Sequence, residues 1–206
     1  YVFVVVGNDF DESLLRYKSA PGFHYFDDSL ELVRVDSHSS PVKRLLKKFA
    51  TVRYLYINLK SYRVLPRSDD APGVFVANTA SNADEQRLEW SKKAVDRFLW
   101  QLEETVEGAP VVFVLVGFRD AIYASKGADS YRNAFPYLMF RHLEVQARAR
   151  GFHVLDLHEV FQADFAANSR RFEFGIDWHW NEYGHSVAAR ALADRLRADS
   201  ICCAAE

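Results

Sequence analysis

Tyr1–Ser13 reads "YVFVVVGNDFDES". A run of β-branched and aromatic residues ends directly in Gly7-Asn8-Asp9. So short an apolar run fits a buried strand or the start of a buried helix, and the Gly and Asn that follow favour a strand closing in a turn. Val111–Val116 and His153–Leu157 have the same character. None of the three alternates strictly, the pattern of strands covered on both faces of a parallel sheet. Arg171–Phe174 reads as a short extra strand.

Helical signals fall between and after these runs. Ser39-Ser40-Pro41 offers a cap and a first-turn proline, and Val42, Leu45, Leu46, Phe49, Val52 and Tyr56 follow at helical spacing. Asp84 to Glu104 carries Leu88, Val95, Phe98, Leu99 and Leu102 on one face. Tyr131 to Arg150 carries Phe135, Leu138, Met139, Leu143 and Val145, and Gly151 stops it. Asn181 to Ala198 forms the last helix, with Val187, Ala188, Ala191, Leu192 and Leu196 turned inward. Alternating strands and helices predict an α/β fold, a parallel sheet flanked by helices in three layers. Two regions break the rhythm: a hairpin expected over 21–35, turning near Asp27-Asp28-Ser29, and a long polar loop over 60–82 with an apolar island at Val74-Phe75-Val76. A loop of that length is usually functional or disordered.

Composition bounds the rest. A chain of 206 residues, 49% hydrophobic and 26% charged, fits one globular domain, 1–206. A net charge of −2 points to neither nucleic acid nor an anionic membrane as partner. No apolar run reaches the roughly 20 residues of a membrane helix. Cys202 and Cys203 are adjacent and too few for a disulfide framework or a zinc cluster, so they leave the compartment open.

The chemistry concentrates in Phe172–His185, "FEFGIDWHWNEYGH". Asp177 and His179 sit two apart just before a helix that Asn181 can cap. A carboxylate beside the imidazole can accept its Nδ1 proton, fix the tautomer, leave Nε2 free as a base and stabilise the imidazolium when it forms. In an open parallel sheet, reactive groups gather beyond the carboxyl ends of the strands. Asn8 stands at such an end: its NH₂ can donate to an anionic oxygen, and Gly7 lets the backbone come close. An amide donor at one strand end with an Asp/His pair beyond another is the layout of an acyl-transfer site.

Each residue also has a plainer reading. Asn8 is a common turn residue. Asp9 is read as a structural hydrogen-bond acceptor, Asp177 as a catalytic orienter or a loop-capping carboxylate. His179 is read as base, structural histidine or metal ligand, and His185 as a first-turn helix residue near the site. Trp180, like Trp178, either walls a pocket or simply packs. Arg119 either meets an anionic substrate or forms an ion pair. Ser13 follows Asn8 closely, but nothing around it makes a nucleophile elbow.

The residues resemble the SGNH (GDSL-like) hydrolases and acyltransferases. Gly7-Asn8-Asp9 is similar to their third block, whose Asn completes the oxyanion hole, and Asp177-x-His179-Trp180-Asn181-x-x-Gly184-His185 to their fifth block, which supplies the triad Asp and His. "VVFVLVGFRDAIY" (Val111–Tyr123) and "VLDLHEVF" (Val154–Phe161) resemble the intervening strands. The Asp-x-His spacing of two is that of the branch including alginate acetyltransferase-like proteins. The resemblance implies a flavodoxin-like fold and a serine esterase or O-acyltransferase acting on a small-molecule or carbohydrate ester, with no metal and no cofactor. His179 would be its base, Asp177 the orienter, Asn8 an oxyanion donor, and Gly7, Trp180 and Arg119 substrate contacts. The first block, with the nucleophilic Ser, and the second do not precede the third here. The expectation is an N-terminally truncated domain lacking its first strands, its serine upstream. The alternatives are a metal-dependent hydrolase using Asp177, His179 and His185, and a non-catalytic binding module of the same fold.

Overall fold

The computed structural model describes residues 1–36, 83–123, 130–175 and 179–201. In chain order these form β1 (Val2–Val5), a single helical turn α1 (Asp9–Glu12), β2 (His24–Phe26) and β3 (Leu32–Arg34). Then come α2 (Glu85–Val106), β4 (Val112–Leu115), α3 (Arg119–Tyr123), a 3₁₀ turn (Ser130–Asn133) and α4 (Phe135–Ala149). β5 (His153–Asp156), α5 (Leu157–Asn168) and α6 (Glu182–Ala198) complete the set. The helix expected after Ser39, the loop over 60–82 and the two cysteines lie outside the described residues.

The chain divides into two compact units, Tyr1–Asp11 with Asn78–Glu206, and Glu12–Ala77. In the first, β1, β4 and β5 make a parallel sheet in the order β1-β4-β5. Val2 pairs with Val112, and Val112 in turn with His153. All four residues of β4 are buried, because helices cover both faces of the middle strand. Phe113 and Leu115 point into a core with Val95 and Leu99 of α2 and Met139, Phe140 and Leu143 of α4. Val112 and Val114 point the other way, into a core with Ile122 of α3, Leu157 and Phe161 of α5 and Val187 of α6. These are the three layers of an α/β fold. β1, paired on one side only among the described residues, buries less: Phe3 and Val5 pack against the first core while Val2 and Val4 stay exposed.

Local chemistry sets the ends. Asp84 caps α2, its side chain accepting the Arg87 N–H at 2.7 Å. Pro136 stands in the first turn of α4, so the helix starts at Phe135 rather than at the expected Tyr131, and 3₁₀ geometry fills the gap. A start at 131 would put the proline ring inside the helix, against the carbonyl of the preceding turn. Gly151, at φ +78°, ends that segment as expected. Leu157, read as the last residue of a strand, instead opens α5, which the strand-like reading of "VLDL" had hidden. Arg171–Phe174 is not a strand either; only Glu173 makes a bridge, antiparallel to Trp180.

In the second unit β2 and β3 form an antiparallel hairpin, His24 facing Arg34. Asp27 closes its turn, its carboxylate accepting the Ser29 and Glu31 N–H groups at 2.8 and 3.0 Å.

Phe113 stacks on Phe3 at 5.4 Å and meets Phe98 and Phe152 edge-on. Phe113→Ala is expected to cost about 3–5 kcal/mol in urea unfolding. Val4→Ala, on the exposed side of the neighbouring strand, should stay within about 0.5 kcal/mol.

Candidate functional site at the carboxyl edge of the sheet

Two segments leave the carboxyl ends of β1 and β4, a third, 171–181, lies between α5 and α6, and each is fixed by a different device. After β1 the chain turns at Gly7-Asn8. The Asp9 carboxylate accepts the Val6 N–H at 2.8 Å, and the Asp9 N–H returns to the Val6 carbonyl at 3.0 Å. Phe10 is buried, with its ring against Phe140, and Asp11 accepts from Arg87 Nε at 2.7 Å in a buried pair. Asn8 is therefore held by a closed turn on one side and a buried anchor on the other. A Cβ on Gly7 would lie 2.8 Å from the Pro136 side chain, so the close approach this glycine permits is to the first turn of α4.

Gly7, Asn8 and Arg119 line one cavity of about 210 Å³, together with Gly117, Asp120 and Phe140. The cavity opens beyond the adjacent ends of β1 and β4, where an open α/β sheet binds its ligands.

The segment after β4 approaches the start of α5. A Cβ on Gly117 would meet the His158 Cα at 2.7 Å, and the Phe118 N–H donates to His158 Nδ1 at 3.2 Å. Asp156 caps α5, accepting the His158 N–H at 2.8 Å. Burial pushes the Asp156 carboxyl above its ordinary pKa, against the pull of that N–H. Burial likewise holds His158 below its ordinary value, with Asp156 and Glu159 opposing. Sequence reading missed this pair because it assigned Leu157 to a strand. The legible signal was Asp156-x-x-Glu159, a helix-start pattern.

The third segment, 171–181, carries His179. Asn181 organises it with one side chain. Its Oδ1 accepts the Gly184 N–H at 2.9 Å, capping α6, and its Nδ2 donates to the carbonyls of Arg171 and Glu173 at 3.1 and 3.0 Å. The Phe174 N–H donates to the His179 carbonyl at 3.1 Å. Tyr123 adds a brace from α3: its hydroxyl donates to Glu173 Oε2 at 2.5 Å and accepts the Phe172 N–H at 3.0 Å. Burial, then the bond to Glu173, raises the Tyr123 pKa. Phe172 is fully buried and stacks on Phe161 at 4.4 Å. Gly184 lets α6 press onto the Phe172 carbonyl, where any Cβ would collide with backbone.

The imidazole bearer His179 is exposed at the end of this pinned loop, and it does not line the cavity at Asn8. Asp177 and Trp178 lie outside the described residues. Trp180 is half-buried and packs edge-on against Phe161 at 5.7 Å and against His185 at 5.5 Å. His185 is exposed in the first turn of α6. Ser13 sits in a turn where its carbonyl accepts the Phe26 N–H at 2.8 Å. Among the described residues, no group of three or more His, Cys, Asp or Glu side chains is placed to hold a metal ion, and no helix is long and apolar enough to cross a membrane.

Residues 75–205 match the model of a protein family described as the SGNH hydrolase-like domain, acetyltransferase AlgX. The chain belongs to this family. The matched stretch takes in β4, β5 and the whole 171–181 loop, and begins after β1 and Asn8. No curated protein and no solved structure gives a significant match to the chain. The SGNH hydrolase-like domain places this protein in a class that includes hydrolases and acyltransferases, on the α/β fold described above.

Asn181→Ala removes the α6 cap and both bonds across the loop. It is expected to lower stability by about 1–2 kcal/mol. Hydrogen exchange at the Phe174 amide should quicken by more than that global loss explains. Unchanged exchange there would mean that the loop is held by something other than Asn181.

Proposed function

We propose that this SGNH hydrolase-like domain takes part in acyl transfer from an ester, as an esterase or O-acyltransferase. His179 is the general base, Asp177 its orienter and Asn8 an oxyanion donor. The observation that carries the reading is the family match over the loop containing Asp177-x-His179, a loop clamped by Asn181 at the start of α6. The family's description as an acetyltransferase favours acetyl as the acyl group and a hydroxyl as its acceptor.

The chemistry runs as follows. A serine hydroxyl attacks the ester carbonyl while His179 Nε2 takes its proton. Asp177 accepts from Nδ1 and stabilises the imidazolium. Charge develops on the carbonyl oxygen, and the Asn8 NH₂ donates to it. The tetrahedral intermediate collapses, His179 protonates the departing alkoxide, and an acyl-serine remains. Water or an acceptor hydroxyl then attacks, its proton passing to His179 and on to the serine. The reading needs a serine hydroxyl within reach of His179 Nε2, and none lines the cavity at Asn8 among the described residues. Gly7 serves by letting the Asn8 turn seat against Pro136, and Arg119 lines the same cavity as a cation that an anionic group there would meet.

Turnover of p-nitrophenyl acetate tests this. The protein should be active, lose about 10⁴-fold or more in kcat with His179→Ala, and lose about 10²–10³-fold with Asn8→Ala. Full activity of the His179→Ala protein would overturn the base, and full activity of the Asn8→Ala protein would overturn the oxyanion donor.

A further inference from the structure

α3 runs between the two halves of the candidate site. Its first two residues, Arg119 and Asp120, line the cavity at Asn8. Its last, Tyr123, is bonded to the segment that carries His179. At about 1.5 Å of rise per residue, the two ends of α3 stand roughly one helical turn apart. Ile122 is buried in the second core and anchors the helix between them.

Tyr123 is held by its ring and acts through its hydroxyl. The ring lies against Phe165 at 4.9 Å and stacks on Phe172 at 6.3 Å, with the Arg171 guanidinium over it at 4.4 Å. The hydroxyl donates to Glu173 Oε2 and accepts the Phe172 N–H, and Glu173 Oε1 accepts from Arg171 Nε at 2.9 Å. The Glu173 side chain is 8% exposed, and both its oxygens are filled. Tyr123, its pKa raised by burial and by Glu173, keeps its proton through the range in which an imidazole titrates. What the hydroxyl fixes lies one rung from His179. Glu173 pairs antiparallel with Trp180, and on the next rung the Phe174 N–H donates to the His179 carbonyl at 3.1 Å. On the rung before, the Asn181 N–H donates to the Phe172 carbonyl at 2.8 Å. A Phe ring at 123 would make the same packing contacts. The hydroxyl adds a fixed register between α3 and this paired backbone.

Resting on the acyl-transfer reading, we propose that Tyr123 is a positioning residue for His179: by gripping Phe172 and Glu173, its hydroxyl holds the backbone of His179 in register with α3 and so with the cavity at Asn8. A displacement of about 1 Å at a catalytic group can cost about 10²-fold in rate, so the effect falls on turnover more than on substrate affinity.

Tyr123→Phe, Glu173→Gln and Glu173→Ala separate positioning from packing. In Tyr123→Phe, hydrogen exchange at the Phe174 amide should quicken about tenfold, and the His179 signals in ¹⁵N-histidine spectra should move. Exchange at Val114 in the sheet and the His153 signals should stay as they are. Glu173→Gln keeps an oxygen for the Tyr123 O–H and should match the native protein. Glu173→Ala removes the same bond from the other side, should match Tyr123→Phe, and replaces it if that variant folds poorly. These readings need no ester. Unchanged exchange at Phe174 with unmoved His179 signals overturns the proposal whatever the turnover. On p-nitrophenyl acetate, Tyr123→Phe should lose about 10–10²-fold in kcat with KM within about twofold, and Glu173→Gln should keep most of the native kcat. A loss confined to KM, or native kcat in a Tyr123→Phe protein whose Phe174 amide has loosened, would also overturn it. If the native protein shows no turnover, the acyl reading falls, and the exchange and imidazole readings still decide whether Tyr123 holds His179.

Discussion

Val112–Leu115 loses both faces to helices and both edges to parallel neighbours. Every residue of β4 is buried, so its backbone groups must find partners in β1 and β5, and its side chains must divide between two cores. That constraint fixes the order β1-β4-β5 and brings the three strand ends to one edge. Asn8, Phe118 and His158 follow those ends within a few residues. Their proximity is a consequence of the sheet, and the loops add only the last ångströms through the close contacts at Gly7 and Gly117.

The loop bearing His179 depends on a different economy. Its described backbone is pinned by Asn181, Tyr123 and the buried ring of Phe172. A single amide side chain both caps α6 and ties the carbonyls of Arg171 and Glu173, so the start of the helix and the start of this segment are set together.

What the sequence made legible follows its periodicities. Tyr1–Val6 and Val111–Val116 read as strands because continuous apolar runs next to turn residues have few other uses. α2 and α6 read as helices because Asp84 and Asn181 announce them. α5 was hidden because Leu157 extends the apolar run of the strand past Asp156, and only the cap at Asp156 marks the change. The start of α4 was placed one turn early because Pro136 was not used as the limit it sets. At the site, Asn8 and His179 were visible as residue types in suggestive places. That Gly7 accommodates Pro136, that Gly117 accommodates His158 and that Tyr123 braces Glu173 are contacts between distant positions, which no local pattern carries.

The tautomer of the His179 ring tests the proposal that this imidazole is a base oriented by Asp177. In ¹⁵N-histidine spectra of the chain at neutral pH, the proposal predicts a His179 ring protonated on Nδ1 and bare on Nε2, with an Nδ1–H signal that moves in Asp177→Asn. A His179 ring protonated on Nε2, with a spectrum indifferent to Asp177→Asn, would contradict it.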